Sequence, residues 1–455
     1  MISVDTRLVG ERMLLRPSMI KFQSSDQADI EICGTASRSL PLRLNRQFIK
    51  IMEDLHVEPQ GLLDLQSSAV EELRRTTESP LKAAGFVERN HIGQHAHVPW
   101  LIRKLHAINL SPLKDPFIRD VVELSTLIQL RELKHRSRIP VEEGITLYGI
   151  MDEFDVLQEG QIYCRTDKHV VEGKVTITRA PALHPGDIQF AAAVDVPDDS
   201  PLNSLHNCIV FSQHGARDLP SQLSGGDLDG DLYNVIWDPR LQPKITVPPA
   251  DYPRVPAVDI GRLVERSDMT DFFIQFMEND QLGRIATLHQ QLADSKPEGT
   301  VDPECILLAE MHSTAVDFSK TGIPVDLSKF PRSKRFRPDF MAPGPRYKIE
   351  QQGIQFGDEE NLVGMEDEEP DVVTALDPEG AHMRYYESQR ILGRLYRAID
   401  EQKFLEELQK QSRTTPTAAD TGQTLIDKVW QYALRQTHLV QWAHHRDHAR
   451  DIREA

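Results

Sequence analysis

Between Leu223 and Tyr233 the chain reads Leu-Ser-Gly-Gly-Asp-Leu-Asp-Gly-Asp-Leu-Tyr, so three carboxylates, Asp227, Asp229 and Asp231, share one short segment with three glycines. At a separation of about 4 Å and an effective dielectric of about 20, each pair of ionised aspartates repels by roughly 4 kcal/mol, so three that converge require a proton or a cation. Hard oxygen donors on an open loop favour Mg²⁺, which keeps part of its water and completes its shell from phosphate oxygens. In an extended segment the alternate aspartates face one side, while Leu228 and Leu232 face the other as anchors. Gly230 allows a turn with positive φ between the second and third acids, and Gly225-Gly226 lets another backbone or a nucleotide approach closely.

An EF-hand is the first rival for Asp-x-Asp-x-Asp, with Asp238 standing where the last ligand of that loop would fall. The rival fails on detail. The glycine required at the sixth position is Leu232, and Leu232-Tyr233-Asn234-Val235-Ile236-Trp237 favours a strand over an exiting helix.

The surroundings of the loop carry a resemblance. Upstream stand Val175-Thr176-Ile177-Thr178-Arg179-Ala180-Pro181, Leu183-His184-Pro185-Gly186-Asp187-Ile188, Ile209-Val210-Phe211 and Gly215-Ala216-Arg217-Asp218-Leu219-Pro220, ending in Gly226-Asp227-Leu228-Asp229-Gly230-Asp231. Near the start are Leu15-Arg16-Pro17-Ser18-Met19-Ile20-Lys21-Phe22 and Leu44-Asn45-Arg46-Gln47. Downstream follow Asn279-Asp280-Gln281-Leu282-Gly283-Arg284-Ile285, Ala315-Val316-Asp317-Phe318-Ser319-Lys320-Thr321-Gly322 and Lys334-Arg335-Phe336-Arg337-Pro338-Asp339-Phe340-Met341. This ordered run resembles the catalytic core of the cellular RNA-dependent RNA polymerases of eukaryotic RNA silencing, over about residues 1–345 and more weakly to the end.

The resemblance implies an α+β fold with a double-psi β-barrel polymerase core, the second barrel complete and the first partial, joined to a helical connector and helical C-terminal regions. The expected organisation is a first-barrel remnant over 1–45, a helical connector over 46–137, the catalytic barrel over 138–245, a helical region over 246–345, an acidic linker over 346–379 and a helical hairpin over 380–455. Family members carry further sequence upstream, so the chain is expected to be a fragment, a truncated gene model or half of a split enzyme. A homodimer is one arrangement that would restore a two-barrel cleft.

The residue patterns agree with that layout. Asn45 to about Leu133 carries apolar stripes at helical spacing, residues 138–240 return to short strands bounded by Gly, Pro and Asp, and the pattern turns helical past Pro249. Residues 380–411 and 421–452 read as two long amphipathic helices. A chain of 455 residues with 39% hydrophobic and 27% charged residues can bury more than one core.

The net charge of −18 reports solubility, whereas nucleic-acid binding depends on where Lys and Arg cluster. Acids concentrate at Asp358-Glu359-Glu360 and from Glu366 to Asp371, while Arg332 to Arg337 is basic. The four cysteines, Cys33, Cys164, Cys208 and Cys305, show no C-x-x-C spacing, so they suggest reduced thiols rather than a zinc module or a disulfide framework. Neither a secretory signal pattern nor an apolar run of membrane-spanning length appears, which points to cytoplasm or nucleus and no membrane.

By the resemblance, Asp227, Asp229 and Asp231 are both the catalytic and the metal-holding residues, with Mg²⁺ as cofactor and single-stranded RNA template and ribonucleoside triphosphates as partners. Lys174, Arg179 and Arg217 are the basic candidates for offsetting phosphate charge. His184 is expected to fix the His-Pro-Gly-Asp turn beside Asp187. At the C-terminus His444 and His448 stand at i and i+4, a zinc-like spacing, with His438, His445 and Asp447 nearby, but His445 replaces the glutamate of H-E-x-x-H, Arg446 and Arg450 would repel a cation, and a solvated helix face is the simpler reading. The product implied by the family is double-stranded RNA for small interfering RNA, with Dicer and Argonaute as pathway partners. The competing classes are a non-catalytic RNA-binding or assembly relic of such a polymerase and a metal-dependent nuclease.

Overall fold

The computed structural model describes residues 2–20, 31–166, 169–253, 255–332, 336–350, 353–357 and 384–413. The chain divides into one unit of Met1–Ser67, Leu133–Pro343 and Glu366–Ala398 and another of Ser68–Glu132, Gly344–Met365 and Ile399–Ala455.

The first unit is organised by strands β1 (Leu40–Arg43), β2 (Pro140–Met151), β3 (Gln161–Arg165), β4 (Gly173–Arg179), β5 (Ile188–Ala193), β6 (Cys208–Phe211) and β7 (Leu232–Ile236). Hydrogen bonds run in the order β2-β6-β3-β5-β4-β7, and β7 pairs back to β2, so six strands close a barrel. The pairs β2–β6 and β3–β5 are parallel and the rest are antiparallel. This is the α+β, double-psi barrel class that the sequence implied.

The period of two along each strand explains why the ring closes on an apolar axis. Every strand sends two residues, two positions apart, into one cluster: Ile145 and Leu147, Ile162 and Cys164, Val175 and Ile177, Ala191 and Ala193, Ile209 and Phe211, Tyr233 and Val235. Each large aliphatic removed from water there contributes about 1.5–3 kcal/mol. On the opposite face of β3 and β6, Tyr163, Cys208 and Val210 join a second cluster with Leu157, Leu202 and Leu205.

Of residues 1–45, the described part contributes one strand, β1, antiparallel to β2, and a single helical turn at Pro17–Met19. Helix α1 (Arg46–Asp54) starts where the Asn45 side chain accepts from the Phe48 amide. It is followed by α2 (Pro59–Arg74), α3 (Pro80–Arg89), α4 (Val98–Ala107) and α5 (Pro116–His135) before the chain enters β2. After the barrel come α6 (Leu219–Gln222, inside the loop before β7), α7 (Arg266–Asn279), α8 (Leu282–Ser295) and α9 (Pro303–Thr321). Helix α9 is capped by Asp302 at its start and by left-handed Gly322 at its end. Phe272 and Phe276 of α7 pack on Phe318 of α9.

Short parallel strands β8 (Phe336–Pro338) and β11 (Arg384–Tyr386) follow in the first unit, together with α10 (Ile391–Arg397). The second unit holds a hairpin of β9 (Tyr347–Glu350) and β10 (Gly353–Phe356), helix α11 (Glu401–Arg413) and most of α3 to α5. Its buried ion pair, Arg131 to Glu401 at 2.8 Å, ties α5 to α11. Of the stretch 380–411, the described residues from 384 hold a strand and two helices, not one helix. The turn before α10 is fixed by side chains, since Ser388 Oγ donates to Asp294 and accepts from the Arg390 amide. The acidic segment at 358–371, the 421–452 pattern and the C-terminal histidines lie outside the described residues.

Candidate active site

Register carries the aspartates to the rim of the barrel. Strand β7 begins opposite Tyr148 of β2, and the Gly149 amide donates to the Asp231 carbonyl, which pins the end of the acidic loop. Gly149 is required there, because a Cβ would stand 2.3 Å from the ring of Tyr233. In the β4–β7 pairing Arg179 lies opposite Tyr233, which places its guanidinium beside Asp231.

The loop is not extended. Ser224, Gly225, Leu228 and Gly230 all have positive φ, so the chain bends repeatedly between α6 and β7. Alternation therefore does not bring the acids together; the bends do. One carboxylate oxygen from each of Asp227, Asp229 and Asp231 falls within 4.8 Å of the others. Leu228 remains the apolar anchor, packed toward Gly149 and the barrel cluster.

The loop is held at both ends. Arg179 donates from Nη2 to Asp231 Oδ1 at 2.7 Å and from Nη1 to the Ser224 carbonyl at 2.9 Å, while Asp231 Oδ2 accepts from the Asp227 amide at 3.0 Å. Burial disfavours the charged form of Arg179, but the hydrogen bond and field of Asp231 outweigh it and raise its pKa. The pKa of Asp229 is raised by burial, by its hydrogen bond with Asp227 and by repulsion from Asp227 and Asp231, with Lys320 opposing. Three oxygens that repel one another in an open loop fit a hard divalent cation, which would relieve that repulsion.

The loop opens on a cavity of about 370 Å³ lined by Arg179, Asp227, Tyr252, His312, Asp317 and Lys320 among others. Burial lowers the pKa of His312 to about 4, so it is neutral in the cavity wall at ordinary pH. His184 Nδ1 accepts from the Gly186 amide and Asp187 accepts from the His184 amide, the turn chemistry that its motif predicts.

Of the three basic candidates, Arg179 is at the acids. Arg217 instead donates to Ser221 Oγ and to the Ser221 carbonyl, bracing α6. Lys174, at the start of β4, lies 3.5 Å from the centre of the Phe190 ring and five residues, or about 16 Å, along the strand from Arg179. Sequence reasoning assigned no role to Lys320, Tyr252 or His312. Ser313, Asp317 and Lys320 share one helical face of α9, a polar stripe whose spacing was open to reading.

Comparison with known proteins places this geometry. The family model for RNA dependent RNA polymerase matches residues 1–399. The chain is 34% identical over 350 residues to probable RNA-dependent RNA polymerase 1 of Oryza sativa subsp. japonica, covering 75% of this chain and 46% of the relative. It is 33% identical over 415 residues to RNA-dependent RNA polymerase 6 of Arabidopsis thaliana, covering 86% and 31%. Among solved structures it is similar to RNA dependent RNA polymerase QDE-1 from Thielavia terrestris, with a TM-score of 0.62 at 20% identity, over 90% of this chain and 47% of that one. The chain thus spans about half, or less, of the length of the relatives it matches. With a family match this long and relatives this similar, the chain belongs to the RNA dependent RNA polymerase family.

Proposed function

We propose that the chain carries the catalytic centre of template-directed nucleotidyl transfer, extending RNA on a single-stranded RNA template from ribonucleoside triphosphates. The observation that carries this reading is the convergence of Asp227, Asp229 and Asp231 at the rim of an open cavity, in a chain of this family. The three aspartates would hold Mg²⁺, which when bound activates a primer 3′ hydroxyl and stabilises the leaving pyrophosphate in a two-metal site.

The protein's own part is positioning. Arg179 fixes Asp231 and the Ser224 carbonyl, so the oxygens are pre-arranged before substrate arrives. Its buried Nε has no partner among the described residues, and both terminal nitrogens are spent on the loop, so the guanidinium acts on the acids rather than on the substrate. Lys174 and Arg217 form no ion pair among the described residues, and we assign their charges to phosphates along the path of the RNA.

By kinship the product is double-stranded RNA for small interfering RNA, with Dicer and Argonaute as pathway partners in cytoplasm or nucleus. Among the described residues no helix is long and apolar enough to cross a membrane.

The test is Mg²⁺-dependent incorporation of labelled ribonucleotides on single-stranded RNA by the 455-residue chain beside its Asp229→Asn variant. Incorporation by the parent and none by the variant supports the reading. A folded parent that binds RNA without extending it would be a binding relic, and one that cuts the RNA would be a nuclease.

A further inference from the structure

The turn that delivers the chain into Asp227 is two consecutive left-handed residues, Ser224 with φ 51° and Gly225 with φ 68°. A serine holds that conformation only where its surroundings impose it. All three polar groups of Ser224 are taken. Its amide donates to Asp187 Oδ1 at 3.1 Å, its carbonyl accepts from Arg179, and its hydroxyl donates to the Pro181 carbonyl. Gly225 lies under Tyr252, where a Cβ would stand 3.3 Å from Cβ and Cγ of that ring.

Tyr252 and Asp187 are themselves joined, Tyr252 Oη donating to Asp187 Oδ1. Asp187 Oδ2 accepts from the Leu183 amide at 3.1 Å and from the His184 amide at 3.0 Å. One carboxylate, 1% exposed, therefore receives four donors from three separate segments, one of them the start of the metal loop. Burial raises the pKa of this acid to about 6, against the pull of its donors, so its site is unfavourable for a charge that served packing alone. An amide at the same place would turn one acceptor into a donor facing donors.

We propose that Asp187 and Tyr252 are positioning residues which set the metal loop, holding Ser224 and Gly225 so that Asp227 meets Asp229 and Asp231. The inference deepens the polymerase reading and rests on it for its activity arm alone. Neither residue is among the three acids that would hold the metal. They act through the backbone of residues 224 and 225, as outer-shell partners act on metal ligands elsewhere.

The test uses the full chain, with Tyr252→Phe, which keeps the ring over Gly225 and removes only the hydroxyl, and Asp187→Asn. Mn²⁺ binding is followed by electron paramagnetic resonance, with Asp229→Asn as the blank, and nucleotide kcat and KM are measured in parallel. The expected result is Mn²⁺ binding weakened about tenfold in Tyr252→Phe and up to about a hundredfold in Asp187→Asn. The kcat should fall while the nucleotide KM stays within about twofold, because the loop and not the substrate contacts has moved. Unchanged Mn²⁺ affinity in Tyr252→Phe, whatever happens to its melting temperature, would make the hub structural and overturn the proposal. Should Asp187→Asn fail to fold, Tyr252→Phe decides alone. A parent that binds Mn²⁺ but adds no nucleotide would defeat the polymerase reading while leaving the Mn²⁺ comparison intact.

Discussion

Two groups of acids in the first unit are made of the same side chains and meet opposite fates. Glu53, Asp54 and Asp294 sit among α1, α8 and the segment before α10, and every carboxylate oxygen has a protein donor. Lys50 Nζ reaches both Glu53 and Asp54, Thr300 donates its amide and hydroxyl to Asp54, the Ile391 amide donates to Glu53, and Tyr386 and Ser388 serve Asp294. At Asp227, Asp229 and Asp231 the described residues supply one guanidinium and one amide, both spent on Asp231. Acids satisfied from within hold a fold together. Acids gathered and then left short of donors are kept for something that arrives from solution.

The largest expected effect breaks the open group. Asp229→Asn should lower incorporation by more than about 10³-fold, over 4 kcal/mol in the barrier, because a metal ligand is lost. Its melting temperature should hold or rise, since a repelled charge disappears from the loop. A loss of activity accompanied by unfolding would erase the contrast between the two groups.

The satisfied group should answer in the opposite sense. Lys50 is 2% exposed, and Lys50→Met strands Glu53 and Asp54 without their shared cation. Removing one partner of a buried pair costs about 3–5 kcal/mol, read as a shift in the urea midpoint, with Mn²⁺ affinity of the folded protein unchanged. Equal loss of metal binding would show that the two groups are not independent.

Beneath the cavity the same rule applies to histidine. Burial lowers the pKa of His289 to about 3 and of His312 to about 4, below the ordinary value of 6.5. The unfolded chain therefore takes up these protons first as pH falls, and stability is lost below 6.5. Between pH 6.5 and 5 each costs about 2 kcal/mol. Asp187 runs the other way between 3.8 and about 6, because its folded pKa is raised and acid favours the folded state. His312→Gln should flatten the loss of urea stability between pH 6.5 and 5 by about 2 kcal/mol; an unchanged slope would mean that His312 is not held neutral.

The contrast was only half legible in the sequence. The open acids announce themselves because they are adjacent, with Gly230 and the hydrophobic Leu228 and Leu232 between and around them, and the run after them spells a strand. Lys50, Glu53 and Asp54 pair at helical spacing within α1, but Asp294 and Thr300 reach that helix only through tertiary packing, and nothing in the local pattern around Asp54 foretells Thr300. The barrel was visible as short strands, but not its closure of β7 on β2, which depends on long-range register. Extended alternation at Asp227 to Asp231 was the wrong local geometry because Leu228 adopts φ 60°, a cost that only its seat against Gly149 makes tolerable. Tyr252 comes from a loop with no pattern of its own, while Lys320 was marked by the polar face of its helix but by nothing that placed it at the acids.

The smallest effect tests how much of the open group's readiness lies in its backbone. Gly226 immediately precedes Asp227, and a Cβ there would fall 2.3 Å from Tyr233 Oη and 2.8 Å from the Pro220 carbonyl. Neither neighbour can retreat easily, because Tyr233 is packed on Phe211 inside the barrel and Pro220 lies in α6. Gly226→Ala should therefore push the loop outward rather than deform the barrel, at about 1–3 kcal/mol of stability. All three carboxylates would survive that shift, yet their oxygens would no longer meet. Metal binding should weaken with every ligand in place, a result that Asp229→Asn cannot give, and full Mn²⁺ affinity in Gly226→Ala would mean that the acids find one another without the backbone's help.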